Sequence, residues 1–193
     1  MYDVVCLASG GLDSTVCLHL LRERGLHTLP VFINYGQRNF AREWGALLAA
    51  CENAKFAKPI KFDFPAFGAV IKSGLTDASL RVNEDAFTPN RNLLFLLLGA
   101  SVAYSKGIPN IAVGLLAERT AIFPDQSDRF LSIAQEAFKE SLGATIGIHA
   151  PLRDLTKSEV VRIAQQRKIA NFYSCHAGTE IPCGKCIACL EYI

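Results

Sequence analysis

The apolar run Val4-Val5-Cys6-Leu7-Ala8 leads straight into Ser9-Gly10-Gly11-Leu12-Asp13-Ser14-Thr15, and this junction constrains the fold more than any other stretch of the chain. The run reads as a strand buried on both faces, and the apolar spacing from Thr15 to Arg24 reads as the helix that follows it. Two adjacent glycines permit a sharp turn and bring backbone N–H groups against an anion with no Cβ in the way. A helix opening at the same point adds unpaired amides and the positive end of its dipole. Leu7, Ala8, Ser9, Gly10, Gly11, Leu12, Asp13, Ser14 and Thr15 therefore form a candidate phosphate cradle, with three hydroxyls as further donors. The Gly-Lys-Ser/Thr of a Walker A loop is missing and G-x-G-x-x-G occurs nowhere, which counts against P-loop phosphoryl transfer and against a dinucleotide fingerprint. Asp13 suits two roles, holding a metal or orienting the loop on the one hand and capping the helix on the other.

The same alternation continues along the chain. Strand-length apolar runs at Thr28 to Ile33, Phe56 to Phe62, Ile111 to Leu115 and Thr145 to His149 are interleaved with helical spacing at Ala41 to Asn53, Leu93 to Lys106, Asp128 to Leu142 and Lys157 to Lys168. This rhythm predicts an α/β fold with a parallel five-stranded sheet and helices on both faces. A chain of 193 residues, half of them hydrophobic, has room for one such domain, expected over residues 1–171, and a small appendage over 172–193. Ser73 to Asn90 is polar and aperiodic, and is expected to be a loop near the site.

Charge narrows the partners. Twenty Lys and Arg against 18 Asp and Glu give +2, with no block of like charges, so neither a nucleic-acid arm nor a membrane-surface patch is expected. The uncharged run Asn92 to Ser105 is too short to cross a bilayer, which needs about 20 residues, and reads as a buried helix. Met1 to Val5 carries no basic stretch of a secretory signal, so a cytoplasmic setting is expected. The high apolar fraction in a small subunit leads us to expect a homodimer.

Four of the seven cysteines crowd into the last 19 residues as Cys175, Cys183, Cys186 and Cys189, spaced C-x7-C-x2-C-x2-C. Four thiolates at this spacing can close a tetrahedron around Zn2+, leaving no open position for water, so the site reads as structural. An iron–sulfur cluster is the rival occupant. His176 is either a substitute ligand or a neighbour lining the cleft. Cys6, Cys17 and Cys51 fall inside predicted elements and read as small buried apolar residues.

Ser9-Gly10-Gly11-Leu12-Asp13-Ser14 resembles the signature of the pyrophosphatase-loop ATP enzymes, whose fold is adenine-nucleotide alpha-hydrolase-like. Three further stretches agree in order with one family among them. Asn34-Tyr35-Gly36-Gln37-Arg38 follows the second strand, Thr88-Pro89-Asn90-Arg91-Asn92-Leu93 precedes the buried helix, and Ser174-Cys175 precedes Cys183-Gly184-x-Cys186-x-x-Cys189. Together these resemble the 7-cyano-7-deazaguanine synthase family of queuosine biosynthesis across nearly the whole chain. The resemblance implies a ligase using ATP with Mg2+, with Zn2+ on the four cysteines. It implies adenylation of 7-carboxy-7-deazaguanine, conversion to the amide by ammonia, and dehydration to the nitrile with a second ATP. It places Asp13, Ser14 and Arg91 in catalysis, and Tyr35, Gln37, Arg38, Arg91, Asn92 and Asp125 around the substrate.

The residue types suit that chemistry. Tyr35 or Phe123 can stack on a planar heterocycle, and Gln37 and Arg91 can meet its polar edge, its carboxylate or phosphates. Simpler readings stand beside these: Arg38 and Arg91 as surface or helix-start charges, Asn92 as a helix cap, and Lys157 as either a phosphate partner or a solvated lysine. The chain departs from the family pattern at Ile122-Phe123-Pro124-Asp125-Gln126-Ser127, where Tyr-Pro-Asp-Cys-Arg is usual, at Asn39, where His is common, and near Glu191, where an Arg is usual. These departures keep open a paralogue that stops at the amide or makes a conjugate. Two competing classes are tRNA thiolation on the same loop, which needs a reactive cysteine outside the metal cage, and a zinc-stapled nucleic-acid-binding module.

Overall fold

The computed structural model describes residues 1–192. Five parallel strands, β1 (Val4–Leu7), β2 (Thr28–Asn34), β3 (Ile60–Asp63), β4 (Asn110–Ala112) and β5 (Gly147–His149), form one sheet in the order β3-β2-β1-β4-β5. Val4 pairs with Thr28 on one side of β1 and Val5 with Ile111 on the other. The chain thus builds outward from β1 in one direction and then crosses back to build in the other. That reversal leaves a crevice beyond the carboxyl ends of β1 and β4.

Alternation along β1 explains the layers. Val5 and Leu7 join Leu96, Ala100 and Ala103 of α4 (Arg91–Ser105) and Ala134 and Phe138 of α5 (Asp128–Leu142). Val4 and Cys6 face the other way, onto Cys17, Leu18 and Leu21 of α1 (Leu12–Glu23) and Leu47 and Cys51 of α2 (Phe40–Asn53). Two short helices, α3 (Ala66–Val70) and α7 (Ile187–Leu190), and α6 (Lys157–Gln166) complete the chain, α6 packing Val160 and Ala164 on Leu12 and Val16 of α1. The parallel sheet sandwiched by helices is the predicted fold.

Boundaries moved for local reasons. β3 starts at Ile60, not Phe56, because Pro59 has no N–H to give a ladder. β4 ends at Ala112 because Gly114 turns against the first turn of α1, where an added Cβ would lie 3.2 Å from the Asp13 carbonyl carbon. Ser73 to Asn90 forms neither helix nor strand, as expected. The apolar helix α4 is not buried all round: Leu97 and Tyr104 are 42% and 52% exposed, since sheet and α5 cover only part of its circumference. No helix among the described residues is long and apolar enough to cross a membrane.

Candidate functional site

The crevice is a cleft of about 250 Å³, walled by the glycine loop, the end of β2 and the first turns of α2 and α4. Gly10 shows why the loop needs glycine. Its φ is +80°, and a Cβ there would sit 2.2 Å from the Glu43 carbonyl oxygen, so α2 presses directly against the turn. Inside the loop the hydroxyls are already placed. The Ser9 N–H donates to Ser14 Oγ at 3.2 Å, the Gly11 N–H to Ser9 Oγ at 3.2 Å, and Ser14 Oγ donates to the Gly11 carbonyl at 3.1 Å. Thr15, fully buried, donates its hydroxyl to the same carbonyl at 2.9 Å and so holds the turn rather than facing the cleft.

Asp13 is not a helix cap. Both its carboxylate oxygens accept from Lys157 Nζ, which also pairs with Glu191 at 2.9 Å. Lys157 is therefore not a solvated lysine, since its side chain is only 13% exposed. Opposite the loop stands Arg91, at the start of α4, its guanidinium carbon 6.0 Å from the ring centres of both Tyr35 and Phe95. Arg91 Nε is buried with no hydrogen-bond partner among the described residues. A buried, unpaired guanidinium nitrogen is costly unless an anion completes it, which argues against a mere surface charge.

Gln37 lines the cleft, but its amide is committed to the protein. Its Oε1 accepts the Tyr35 N–H at 2.9 Å, and its Nε2 donates to the Ile33 carbonyl at 3.2 Å and to Glu43 at 3.3 Å. Asn92 also lines it and donates to the Asp125 carbonyl at 3.2 Å. Three expected substrate residues stand elsewhere. Arg38 donates to the Gly74 carbonyl and pins the Ser73 to Asn90 loop. The Asp125 side chain lies outside the cleft wall, and Phe123 packs on Phe87, ring centres 5.2 Å apart.

Two residues at or beside the cleft carry no signal in the sequence. Glu43, in the first turn of α2, sits deep in the protein yet opens to the cleft, and burial lifts its carboxyl to about 7 against the opposing pull of the Gln37 and Asn39 amides and Arg91. An acidic residue at that helix position ordinarily complements the dipole, so nothing marked it. Ser174 is the other: its Oγ accepts the Leu12 N–H at 3.2 Å, at the mouth of α1, while the Tyr173 N–H donates to the Gly10 carbonyl at 2.9 Å. The cysteine tail therefore folds back over the loop, and His176 reaches the cleft wall, its imidazole held neutral near a pKa of about 4 chiefly by burial.

The tail is knitted to the β2–α2 connection by Asn39, whose Nδ2 donates to the Cys175 carbonyl at 3.3 Å. The Sγ atoms of Cys175, Cys183, Cys186 and Cys189 lie within 4.8 Å of one another. A tetrahedral zinc thiolate set with bonds of about 2.3 Å spaces its sulfurs about 3.8 Å apart, so the four can close on one ion. Burial raises the Cys175 thiol, but the N–H of Cys183 and the Thr179 hydroxyl outweigh it and bring it to about 6. Cys6, Cys17 and Cys51 are buried in the core, away from the cleft wall.

A family model described as "Queuosine biosynthesis protein QueC" matches residues 3–192. Among curated proteins, the 7-cyano-7-deazaguanine synthase of Oceanobacillus iheyensis is 31% identical, aligned over 96% of this chain and 89% of its own. That of Campylobacter concisus is 28% identical over 98% of this chain and 91% of its own. Solved structures share the fold at lower identity. The U34-tRNA thiolase NcsA from Methanococcus maripaludis, with its [4Fe-4S] cluster, has a TM-score of 0.59 at 14% identity over 94% of this chain and 61% of that one. NMN synthetase from Francisella tularensis has a TM-score of 0.54 at 17% identity over 93% and 69%.

Proposed function

The chain belongs to the queuosine biosynthesis protein QueC family, and from that premise we propose that it is an ATP-dependent carbon–nitrogen ligase converting 7-carboxy-7-deazaguanine and ammonia to 7-cyano-7-deazaguanine. The observation that carries this reading is the glycine loop facing Arg91 across one cleft, with Arg91 Nε buried and unpartnered. An anion-binding turn and a guanidinium aimed at the same space suit a reaction between a nucleotide and an organic carboxylate.

A substrate carboxylate oxygen attacks the α-phosphorus of ATP, and pyrophosphate leaves with the bridging electron pair. The N–H groups of Gly10, Asp13 and Ser14, which are not committed to protein acceptors as those of Ser9, Gly11 and Leu12 are, take the pyrophosphate, and Arg91 holds the carboxylate in line. Ammonia then displaces AMP to give the amide. A second ATP adenylates the amide oxygen, one nitrogen proton is lost to give the imidate, and loss of the second as the C–O bond breaks and AMP departs with the electron pair leaves the nitrile. Tyr35, buried beside Phe95, offers a ring edge to the heterocycle. Asp13, oriented by Lys157, has the donor chemistry for a magnesium ion, which would offset charge growing on the departing phosphates. Zn2+ on the four cysteines would hold the tail against the loop and take no part in the chemistry. We place the protein in the cytoplasm, as a homodimer.

The test is to incubate the protein with 7-carboxy-7-deazaguanine, ATP, magnesium and ammonium and to follow products by mass. Nitrile with two AMP per turnover is expected. Amide as the end product replaces this reading by that of an amide-forming paralogue, and absence of AMP overturns both.

A further inference from the structure

Two carboxylates line the cleft, and they are not in the same situation. Asp13 is neutralised by Lys157. Glu43 forms no ion pair among the described residues, Arg91 acting on it only from longer range, and its partners are the neutral amides of Gln37, at 3.3 Å, and Asn39. Its position is rigid, since its own carbonyl is wedged against Gly10 and the Gln37 amide is fixed in turn by the Tyr35 N–H and the Ile33 carbonyl. A carboxylate largely withdrawn from water and without an ion-pair partner costs stability unless a ligand supplies the missing charge. It stands beside the phosphate loop on one side and shares the Tyr35 neighbourhood with Arg91 on the other, which is where the acyl group must lie.

Resting on the ligase reading above, we infer that Glu43 is the ammonium site of the cleft and the general base that releases ammonia from it. Nitrogen reaches the enzyme at neutral pH almost wholly as ammonium, which has no lone pair for attack. The Glu43 carboxylate pairs with the ion and takes one proton, leaving ammonia next to the acyl adenylate. The nitrogen lone pair forms the C–N bond, the adduct gives a second proton to water at the cleft mouth, and the C–O bond breaks with its electron pair leaving on AMP. No oxidant or further reactant enters. A carboxyl raised to about 7 exchanges a proton readily near neutral pH, whereas an ordinary glutamate would be too weak a base. Arg91 is itself a cation and cannot hold another, and the other carboxylate on the cleft wall, Asp13, is already paired with Lys157.

The Glu43→Gln variant keeps the shape and the Gln37 contact and removes the charge. Two partial reactions separate its roles: pyrophosphate exchange into ATP, which needs the carboxylate substrate and no nitrogen, and capture of the adenylate by hydroxylamine, a weaker base largely unprotonated at neutral pH. The expected result is exchange and hydroxamate formation within about threefold of the unaltered protein, with ammonium-dependent amide formation down about 100-fold or more. Equal losses in all three reactions, or an unchanged ammonium dependence, would overturn the assignment. If the unaltered protein itself shows no exchange with the carboxylate substrate, the ligase reading fails and this site with it.

Discussion

Lys157 Nζ lies 2.9 and 2.8 Å from the two carboxylate oxygens of Asp13, tying the first turn of α6 to the first turn of α1 beside the glycine loop. Glu191, from the end of the chain, takes the same ammonium at 2.9 Å. One cation thus answers two anions within a mostly buried site. Replacing it by Lys157→Met leaves both carboxylates uncompensated and should cost about 3 kcal/mol, read as a lower urea midpoint at unchanged m-value.

Gly10→Ala should be worse than an ordinary glycine replacement. An alanine would be strained at φ +80°, and its Cβ would collide with the Glu43 carbonyl, so α2 must retreat from the loop. A loss of about 2 kcal/mol is expected in thermal unfolding, together with loss of ATP-dependent AMP formation.

The raised carboxyl of Glu43 makes stability depend on pH in a definite sense. Below the unfolded-state value of 4.5 the group is protonated in both states and costs nothing. Between 4.5 and about 7 the unfolded chain ionises first, so folding stability falls as pH rises through that window. At about 1.4 kcal/mol per unit the full loss approaches about 3 kcal/mol. Chemical denaturation of the unaltered protein and of Glu43→Gln, from pH 4 to pH 8, should diverge across this range, the variant being the more stable at the alkaline end.

Ser174→Ala removes the acceptor for the Leu12 N–H at the start of α1. Loss of such a contact costs about 1 kcal/mol, or roughly 2–4 °C in Tm for a chain of this size. Scanning calorimetry measures it.

Metal removal should reach the cleft. Elemental analysis is expected to find one zinc per chain, with all four tail thiols protected from alkylation. Chelation should expose them and weaken ATP binding, because Tyr173, Ser174 and His176 are carried by the same segment.

What could be read from the amino-acid order was what is local. Paired glycines after an apolar run, and four cysteines at short spacing, carry their chemistry in consecutive positions, and both stand where expected. The sheet followed from strand-length apolar runs, whereas its margins at Pro59 and Gly114 depended on single residues. Contacts between distant segments were not legible. Lys157 was ambiguous because its two carboxylate partners come from opposite ends of the chain, and Arg38 looked like a ligand residue because its true acceptor, the Gly74 carbonyl, belongs to a loop without periodicity. Gln37 has the chemistry to meet a ligand's polar edge, yet a side-chain amide reveals its neighbours only in three dimensions.

Leu12 and Ser174 touch across 162 positions of chain. During synthesis, then, the glycine turn emerges 162 residues ahead of the hydroxyl that accepts from its helix. A polypeptide cut short before Ser174 would carry the glycine turn with its Leu12 N–H left without that acceptor, so the turn is complete only once the cysteine segment has followed it.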